Sequence, residues 1–405
     1  MSSNWLRHCF LGLALSGGVY VAALIALTIP IVQKNATYAH NVNPALWQNV
    51  SNVEQFGFIH HQVQPFTIKS TDNVTLYAWH ILPTHLYREH KDALTQQSDF
   101  GVKPFEKAAD TVGFRLLLEN PNSKAIVSFH GNAAHLGSSY RPATYQQLLS
   151  TSTPEHPVHV VAFDYRGFGT STGTPSERGV IDDGIAVVSA LCGKPPTFAQ
   201  LNRHSEGSPS APALDPSQII LVGQSLGTFV STATLYRWTI ELQQASLRAL
   251  ILLASFSSFP KLLDSYSIKG FTPPILSPLT PYPFMQTWFR KRIVDKWDLA
   301  SRLQEMIMHK DLKLDVTMMH AKDDWEIPYR EGYTNWLAVE EAVNSTGTFT
   351  KTHDDLAHPE FSRTWTSDDG AKRVRWDKVR HGGHNRIPTS EHLKVVLYDI
   401  LERAQ

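Results

Sequence analysis

An α/β chain folded around a mostly parallel sheet is predicted by three observations. Five short apolar runs recur, KAIVSFHG (124–131), HVVAFDYRG (159–167), QIILVGQS (218–225), ALILLAS (249–255) and VTMMHAKDD (316–324), each β-branched in part and closed by a glycine or a polar cluster. Runs of this kind suit strands buried on both faces of a sheet. Stretches with helical spacing lie between them, at 176–191, 228–245 and 332–343, and that alternation is the pattern of a doubly wound α/β fold. Finally, the run Ile219–Val222 passes through Gly223-Gln224-Ser225-Leu226-Gly227 directly into a helical stretch, a strand–turn–helix junction.

The 405 residues are enough for one large or two ordinary domains with ample core. Composition is that of a globular protein, 42% hydrophobic and 18% charged. The 37 basic and 37 acidic residues cancel, so no nucleic-acid partner is implied by bulk charge. The two cysteines are Cys9 and Cys192. Cys9 falls in an apolar leader, so no disulfide between them is expected and the redox compartment stays open.

Taken in order, residues 1–8 form a short tail and residues 9–32 an uncharged apolar run. As a helix that run is ~36 Å long, enough for a bilayer of ~30 Å. It is longer than the apolar region of a cleaved signal peptide, so a retained transmembrane signal anchor is the preferred reading, over a cleaved leader or a buried core helix. Arg7 and His8 precede the run and Lys34 follows it, which leans toward a cytoplasmic N-terminus and a lumenal or extracellular remainder. Four sequons, at Asn35, Asn49, Asn73 and Asn344, agree with that orientation. Residues 33–55 read as a polar connector. FTIKSTDNVTLYAWHIL (66–82) then reads as two strands turning at Asp72-Asn73, while residues 84–123 carry no clear pattern. The last helix, from 390, shows Leu393, Val396, Leu397, Ile400 and Leu401 on one face with Ser390 as N-cap. Two segments break the alternation, a loop at 196–215 and a stretch rich in proline and aromatics at 256–312, where a cap over the sheet is expected.

The chain holds two Gly-x-Ser-x-Gly motifs. Ser225 has the context of a nucleophile elbow: a sharp turn between strand and helix, flanked by glycines because bulk is excluded there. The N–H of Leu226, at the helix start, is aimed where an oxyanion would form. Ser171 lies several residues past its strand with Pro175 close behind, so a helix does not start on it, and a turn in a glycine-rich loop is expected.

A nucleophilic serine needs a base, and the base an orienting carboxylate, in the chain order Ser, Asp or Glu, His. After the strand VTMMHA come Asp323, Asp324 and Glu326, and before the last helix come His381 and His384. Asp324 is the better placed acid and His384, freed by Gly382-Gly383, the better placed base, with His381 as the alternative. The loop after KAIVSFHG supplies a second oxyanion donor, the N–H of Asn132, while His130 reads as structural. Asp164 reads as a polar anchor acting through Arg166. The pattern His159-x-x-x-x-Asp164, which suggests acyl transfer, puts its two side chains on opposite faces of a strand and is read as accidental.

The stretches SFHGNAA, FDYRGFGTSTGTPSERG, GQSLGT and MMHAKDDWEIP together resemble the α/β-hydrolase superfamily. More narrowly they resemble its membrane-anchored serine hydrolases that cleave monoacylglycerols and lysophosphatidylserine. The resemblance runs from about residue 56 to the end and includes the single N-terminal span. It implies an eight-stranded, mostly parallel sheet with flanking helices and a cap, the triad Ser225, Asp324 and His384, and a catalytic domain outside the cytosol, in the endoplasmic reticulum or another endomembrane. Residues 345–380 are longer and more charged than the family pattern leads one to expect between acid and histidine.

In the cap, Phe256, Phe259, Tyr266 and Phe271 precede Tyr282, Phe284, Trp288 and Phe289, and Arg290, Lys291 and Arg292 follow. Two readings stay open: aromatics that pack the cap's own core, or an acyl pocket beside a membrane-surface contact. The expected activity is hydrolysis of carboxylic esters, with lipid monoesters as substrate and no cofactor. The same triad serves thioesterases and peptidases, and a non-catalytic membrane scaffold on the same fold is a further alternative.

Overall fold

The computed structural model describes residues 2–42, 47–97, 101–194, 213–267, 272–354 and 361–403. Most of the expected loop at 196–215, and the cap residue Phe271, lie outside the described residues.

Among the described residues one sheet of eleven strands organises the fold, in the order β3-β1-β2-β5-β4-β6-β7-β8-β11-β10-β9. β1 (Val63–Lys69) and β2 (Thr75–Ile81) form an antiparallel hairpin turning at Asp72-Asn73. β4 (Lys124–Phe129), β5 (Val158–Phe163), β6 (Ile219–Gln224), β7 (Ala249–Leu253), β8 (Leu314–Ala321) and β11 (Lys372–Val379) run parallel. These eight strands make up the expected sheet. Every residue of β5, β6 and β7 is buried, because helices cover both faces and no polar face is needed.

Three further strands extend the sheet. β3 (Lys103–Pro104) pairs with β1. β9 (Phe349–Asp354) and β10 (Phe361–Ser367) add an antiparallel pair beyond β11. That pair accounts for the long charged segment before the histidine: it is an outer edge, and charge on an edge strand discourages pairing with another chain. Residues 84–123, patternless in sequence, fold into short helices including Val112–Leu118, whose Phe114 packs edge-on against Phe66 at 5.1 Å between ring centres.

The flanking helices start and stop where their residues dictate. Ser176 caps Glu177–Leu191 by accepting from the Gly179 N–H, and Ser390 caps Glu391–Glu402 by accepting from Leu393. Leu393, Val396, Leu397, Ile400 and Leu401 are all buried beneath the sheet.

The apolar leader is divided. A helix covers Ser2–Ala26, and within it Arg7–Ala26 is 20 residues with a mean hydropathy of 2.1, long and apolar enough to cross a membrane. A second helix, Pro30–Tyr38, begins at the proline, which cannot continue a helix but fits the first turn of a new one. The expected polar connector is therefore partly helical and partly interior: Gln33 and Tyr38 are buried. Tyr38 Oη donates to Asp295 Oδ2 at 2.8 Å, and Trp297 lies 5.4 Å away, centre to centre.

Between β7 and β8 the described residues hold no strand. Short helices at Phe259–Leu262 and Pro283–Arg290 cover the C-terminal edge of the sheet, and Ala300–Met308 returns to the layer packed on Tyr329–Thr346.

Candidate active site

Ser225 stands between β6 and the helix Leu226–Tyr236 with φ 55° and ψ −122°. That conformation is sparsely populated for a residue with a Cβ and costs on the order of 1–3 kcal/mol. A backbone hydrogen bond and close packing at the flanking glycines support it. The Ser225 N–H donates to the Leu253 carbonyl at 3.0 Å. Neither Gly223 nor Gly227 has room for a side chain: a Cβ on the first would meet the Gly227 carbonyl, and one on the second the Phe129 carbonyl.

Asp324 and His384 meet across the loops that follow β8 and β11. His384 Nδ1 lies 2.8 Å from Asp324 Oδ2, with the carboxylate fully buried and the ring nearly so. Asp324 Oδ1 accepts the N–H groups of Glu326 and Ile327, both at 2.9 Å, and Oδ2 also has His320 Nε2 at 3.4 Å. Burial alone would raise the pKa of Asp324, but His384 and His320 outweigh it and hold the carboxyl well below its ordinary range. Burial likewise disfavours charge on His384, and the Asp324 carboxylate reverses this, raising the ring above the ordinary histidine value.

The neighbouring pair has a different job. Asp323 accepts from the Gly383 N–H at 2.8 Å and lies 3.5 Å from His381, whose side chain is 75% exposed. Asp323 thus ties the histidine loop down from outside, and of the two candidate histidines only His384 lines the cavity described next.

Ser225, Leu226, Asn132 and His384 line one cavity of about 130 Å³. Cap side chains form its apolar wall, among them Phe256, Phe259, Tyr266 and Phe289. The cap aromatics therefore divide. These four turn inward, while Tyr282, Phe284 and Trp288 are exposed.

Two residues that sequence reasoning missed hold this arrangement. Arg141 is buried and, among the described residues, takes no carboxylate partner. Its guanidinium donates to the carbonyls of Gly131, Asn132, Ala133 and His135 at 2.6–3.0 Å. In a trans peptide the N–H points opposite the preceding C=O, so turning the Gly131 carbonyl onto Arg141 turns the Asn132 N–H away from it. The loop is strained, with Ala133 and Ala134 at φ 61° and 57°. Their N–H groups donate to the carbonyls of Tyr38 and Val42, each at 3.0 Å. Gln224, the second residue, donates to the His384 carbonyl and accepts from Tyr140 Oη at 2.7 Å.

Ser171 donates to the Asp164 carbonyl at 2.8 Å and accepts from the Tyr77 N–H at 2.9 Å; it is a buried loop tie. Asp164 does not act through Arg166, a correction to the sequence reading. Asp164 Oδ1 takes the Leu136 N–H at 2.7 Å and faces His130 Nε2 at 3.3 Å, whereas Arg166 pairs with Asp183 and Asp72. Asp164, at the end of β5, turns its carboxylate to the segment that follows β4, while the Arg166 side chain is taken up by Asp183 and Asp72. His159 is hydrogen-bonded to His80 at 3.0 Å inside the sheet, with partners wholly separate from those of Asp164.

Residues 126–396 match the model of the alpha/beta hydrolase family. The lysophosphatidylserine lipase ABHD12 of Danio rerio is 23% identical over 318 residues, covering 78% of this chain and 68% of that protein. The same lipase of Rattus norvegicus is 24% identical over 330 residues, covering 82% and 69%. A solved structure of an alpha-beta hydrolase from Vibrio vulnificus aligns with 91% of this chain and 92% of its own at 14% identity and a TM-score of 0.49.

Proposed function

The chain belongs to the alpha/beta hydrolase family, and from that premise we propose that it is a membrane-anchored serine hydrolase that cleaves carboxylic esters of single-chain lipids, monoacylglycerols or lysophospholipids. The observation that carries this reading is the pairing of His384 with the buried Asp324 beside a cavity that also holds the strained Ser225 elbow. The relatives named as lysophosphatidylserine lipases support the substrate class.

In the proposed mechanism Ser225 Oγ attacks the acyl carbonyl while His384 Nε2 takes its proton. Asp324 keeps the second proton of the ring on Nδ1 and stabilises the imidazolium. The N–H groups of Leu226 and Asn132 hold the oxyanion. His384 then protonates the departing alcohol, leaving an acyl-enzyme. Water, deprotonated by the same ring, resolves it to free fatty acid and serine.

In this reading residues 9–32 lead into the membrane and residues 56–405 form the hydrolase unit, with its cap at about 256–312. The unit sits on the lumenal side of the endoplasmic reticulum or another endomembrane. The exposed positions of the sequon asparagines Asn49, Asn73 and Asn344 support that side, Asn35 lying next to the anchor, and a mobility shift on glycosidase treatment of the protein from a secretory host tests it.

Labelling with a fluorophosphonate ester tests the chemistry, followed by hydrolysis assays on lysophosphatidylserine, monoacylglycerol, an acyl thioester and a peptide. Labelling of the folded wild type with turnover of the lipid esters is expected. A folded, membrane-bound protein that never labels would overturn the reading in favour of a scaffold, and turnover of thioester or peptide alone would reassign the substrate.

A further inference from the structure

The first two helices do more than lead into the domain. Tyr20, Leu24 and Leu27, at i, i+4 and i+7, lie on one face of the end of the apolar run. Leu24 packs with Leu263, Leu276 and Phe289 of the cap, and Tyr20 Oη donates to the Ile275 carbonyl at 2.9 Å. The other faces of this helix are bare: Leu13, Leu15, Val21 and Ile25 are exposed. Tyr20 lies six residues before Ala26, a depth of about 9 Å along the axis. If this helix crosses a bilayer, the cap packed against it is sunk into the leaflet to a comparable depth, the range in which interfacial helices bury their apolar face.

The cap's outer surface fits that position. Phe284 is 72% exposed and Val294 60%. Trp288 lies beside them with Arg292 stacked on its ring, 3.8 Å from guanidinium to ring centre. Arg292 and Lys291 sit at the same rim, an arrangement of apolar body and cationic edge that matches the headgroup boundary.

The cavity reaches this same place. Leu27, Gln33, Ala36 and Thr37 line it together with Ser225 and His384. Gln33 locks the wall: its amide donates to the Leu27 carbonyl at 2.9 Å and to that of Arg292 at 3.3 Å, and its oxygen accepts from the Val294 N–H at 2.7 Å. Ala36 is exposed while lining the cavity, so it stands at the mouth.

Resting on the hydrolase reading above, we propose that the mouth of the catalytic cavity, between the helix Pro30–Tyr38 and the cap, opens within the leaflet that holds the anchor, so that the acyl chain of a single-chain lipid enters from the bilayer past Leu27, Ala36 and Thr37 without crossing water. The residues after the anchor are then a chain-selecting wall of the site. The Ala133–Tyr38 hydrogen bond joins that wall to the candidate oxyanion loop.

Three measurements on the full chain in phosphatidylcholine vesicles test this. Bimane attached at Phe284→Cys in a Cys9→Ser background reads immersion without reference to activity. Quenching by nitroxide carried on lipid acyl chains, and protection from aqueous iodide, are expected; the opposite pattern overturns the placement. Ala36→Trp reads the mouth. The ratio of kcat/KM for a palmitoyl monoester to that for the butyryl ester is expected to fall about tenfold or more, in vesicles and in detergent alike. A ratio equal to that of wild type overturns the entry route, whether or not both rates fall together. Failure of the hydrolase reading itself is separate and would show first: the wild type would neither label with fluorophosphonate nor turn over either ester, while the bimane result still stands or falls by itself. The exposed pair Phe284→Asp with Trp288→Asp completes the series. It is expected to lose vesicle turnover and keep turnover of soluble butyryl ester, and equal loss on both overturns the immersion.

Discussion

Gln224 donates its side-chain amide to the main-chain carbonyl of His384 at 3.0 Å, so the residue before the elbow serine holds the loop of the proposed base. Two parts of the proposed triad that are 159 positions apart are thereby fixed to one another by a single side chain, which Tyr140 orients in turn. Gln224→Leu removes both bonds at similar volume. A misplaced base costs about 10- to 100-fold in rate, and kcat is expected to fall by that amount with KM little changed. Steady-state kinetics on a soluble ester checks this. An unaltered kcat would assign the loop's position to its other ties, the Asp323–Gly383 and Asp324–His384 bonds among them.

The two motif serines separate in opposite directions. Ser225→Ala is expected to abolish fluorophosphonate labelling and lower kcat on the order of 10⁴-fold or more, with thermal stability kept or raised, because among the described residues the Ser225 hydroxyl holds no hydrogen bond that the substitution would remove. Ser171→Ala is expected to label normally and to lose stability. Its hydroxyl bridges the Asp164 carbonyl and the Tyr77 N–H in the interior, and stranding buried partners costs about 1–3 kcal/mol. Labelling lost in Ser171→Ala without unfolding would contradict both assignments.

What the sequence made legible was local. The Ser225 junction is a strand, a turn and a helix written in consecutive residues, and the last helix announces itself by its Ser390 cap and its apolar spacing. Residues whose role depends on distant partners were silent. Gln33 and Tyr38 read as part of a polar connector because their partners on the cap lie 259 and 257 positions away. Arg141 looks like any surface arginine until the fold brings four carbonyls to it. Asp164 was assigned to the nearest cation in sequence, Arg166, whereas the fold offered it His130 and the Leu136 N–H. Residues 84–123 had no period to read, since each piece is shorter than two or three turns and is ordered by packing on β1 and β2.

The acid limb of the pH profile follows from the Asp324–His384 pair. The ring, at 2.8 Å from the carboxylate, keeps its proton to a higher pH than the ordinary 6.5 of histidine. A general base acts only when unprotonated. The rate is therefore expected to rise with pH along a limb whose apparent pKa lies above 6.5. Asp324→Asn removes the charge that raises the ring and leaves the burial that lowers it, so the limb is expected to move to lower pH. The rate on the plateau should drop on the order of 10⁴-fold as the ring loses its tautomer. A limb that stays in place would mean that some group other than His384 is titrating.

Arg141 carries the last prediction. A buried guanidinium whose partners among the described residues are carbonyls is costly to maintain, and its five donors in a fixed fork are what let it take Gly131, Asn132, Ala133 and His135 together. Lysine keeps the charge but not the fork. Arg141→Lys is expected to release the Gly131–Asn132 peptide and, with it, one proposed oxyanion donor, a loss of about 10²–10³-fold in kcat. Substrate binding in the apolar part of the cavity should change little, so KM is expected to hold while the rate of fluorophosphonate capture falls in step with kcat. Added guanidinium ion should restore part of that rate if the fork is what is missing. A variant that melts lower yet labels at the wild-type rate would make Arg141 a structural tie and remove it from the proposed machinery.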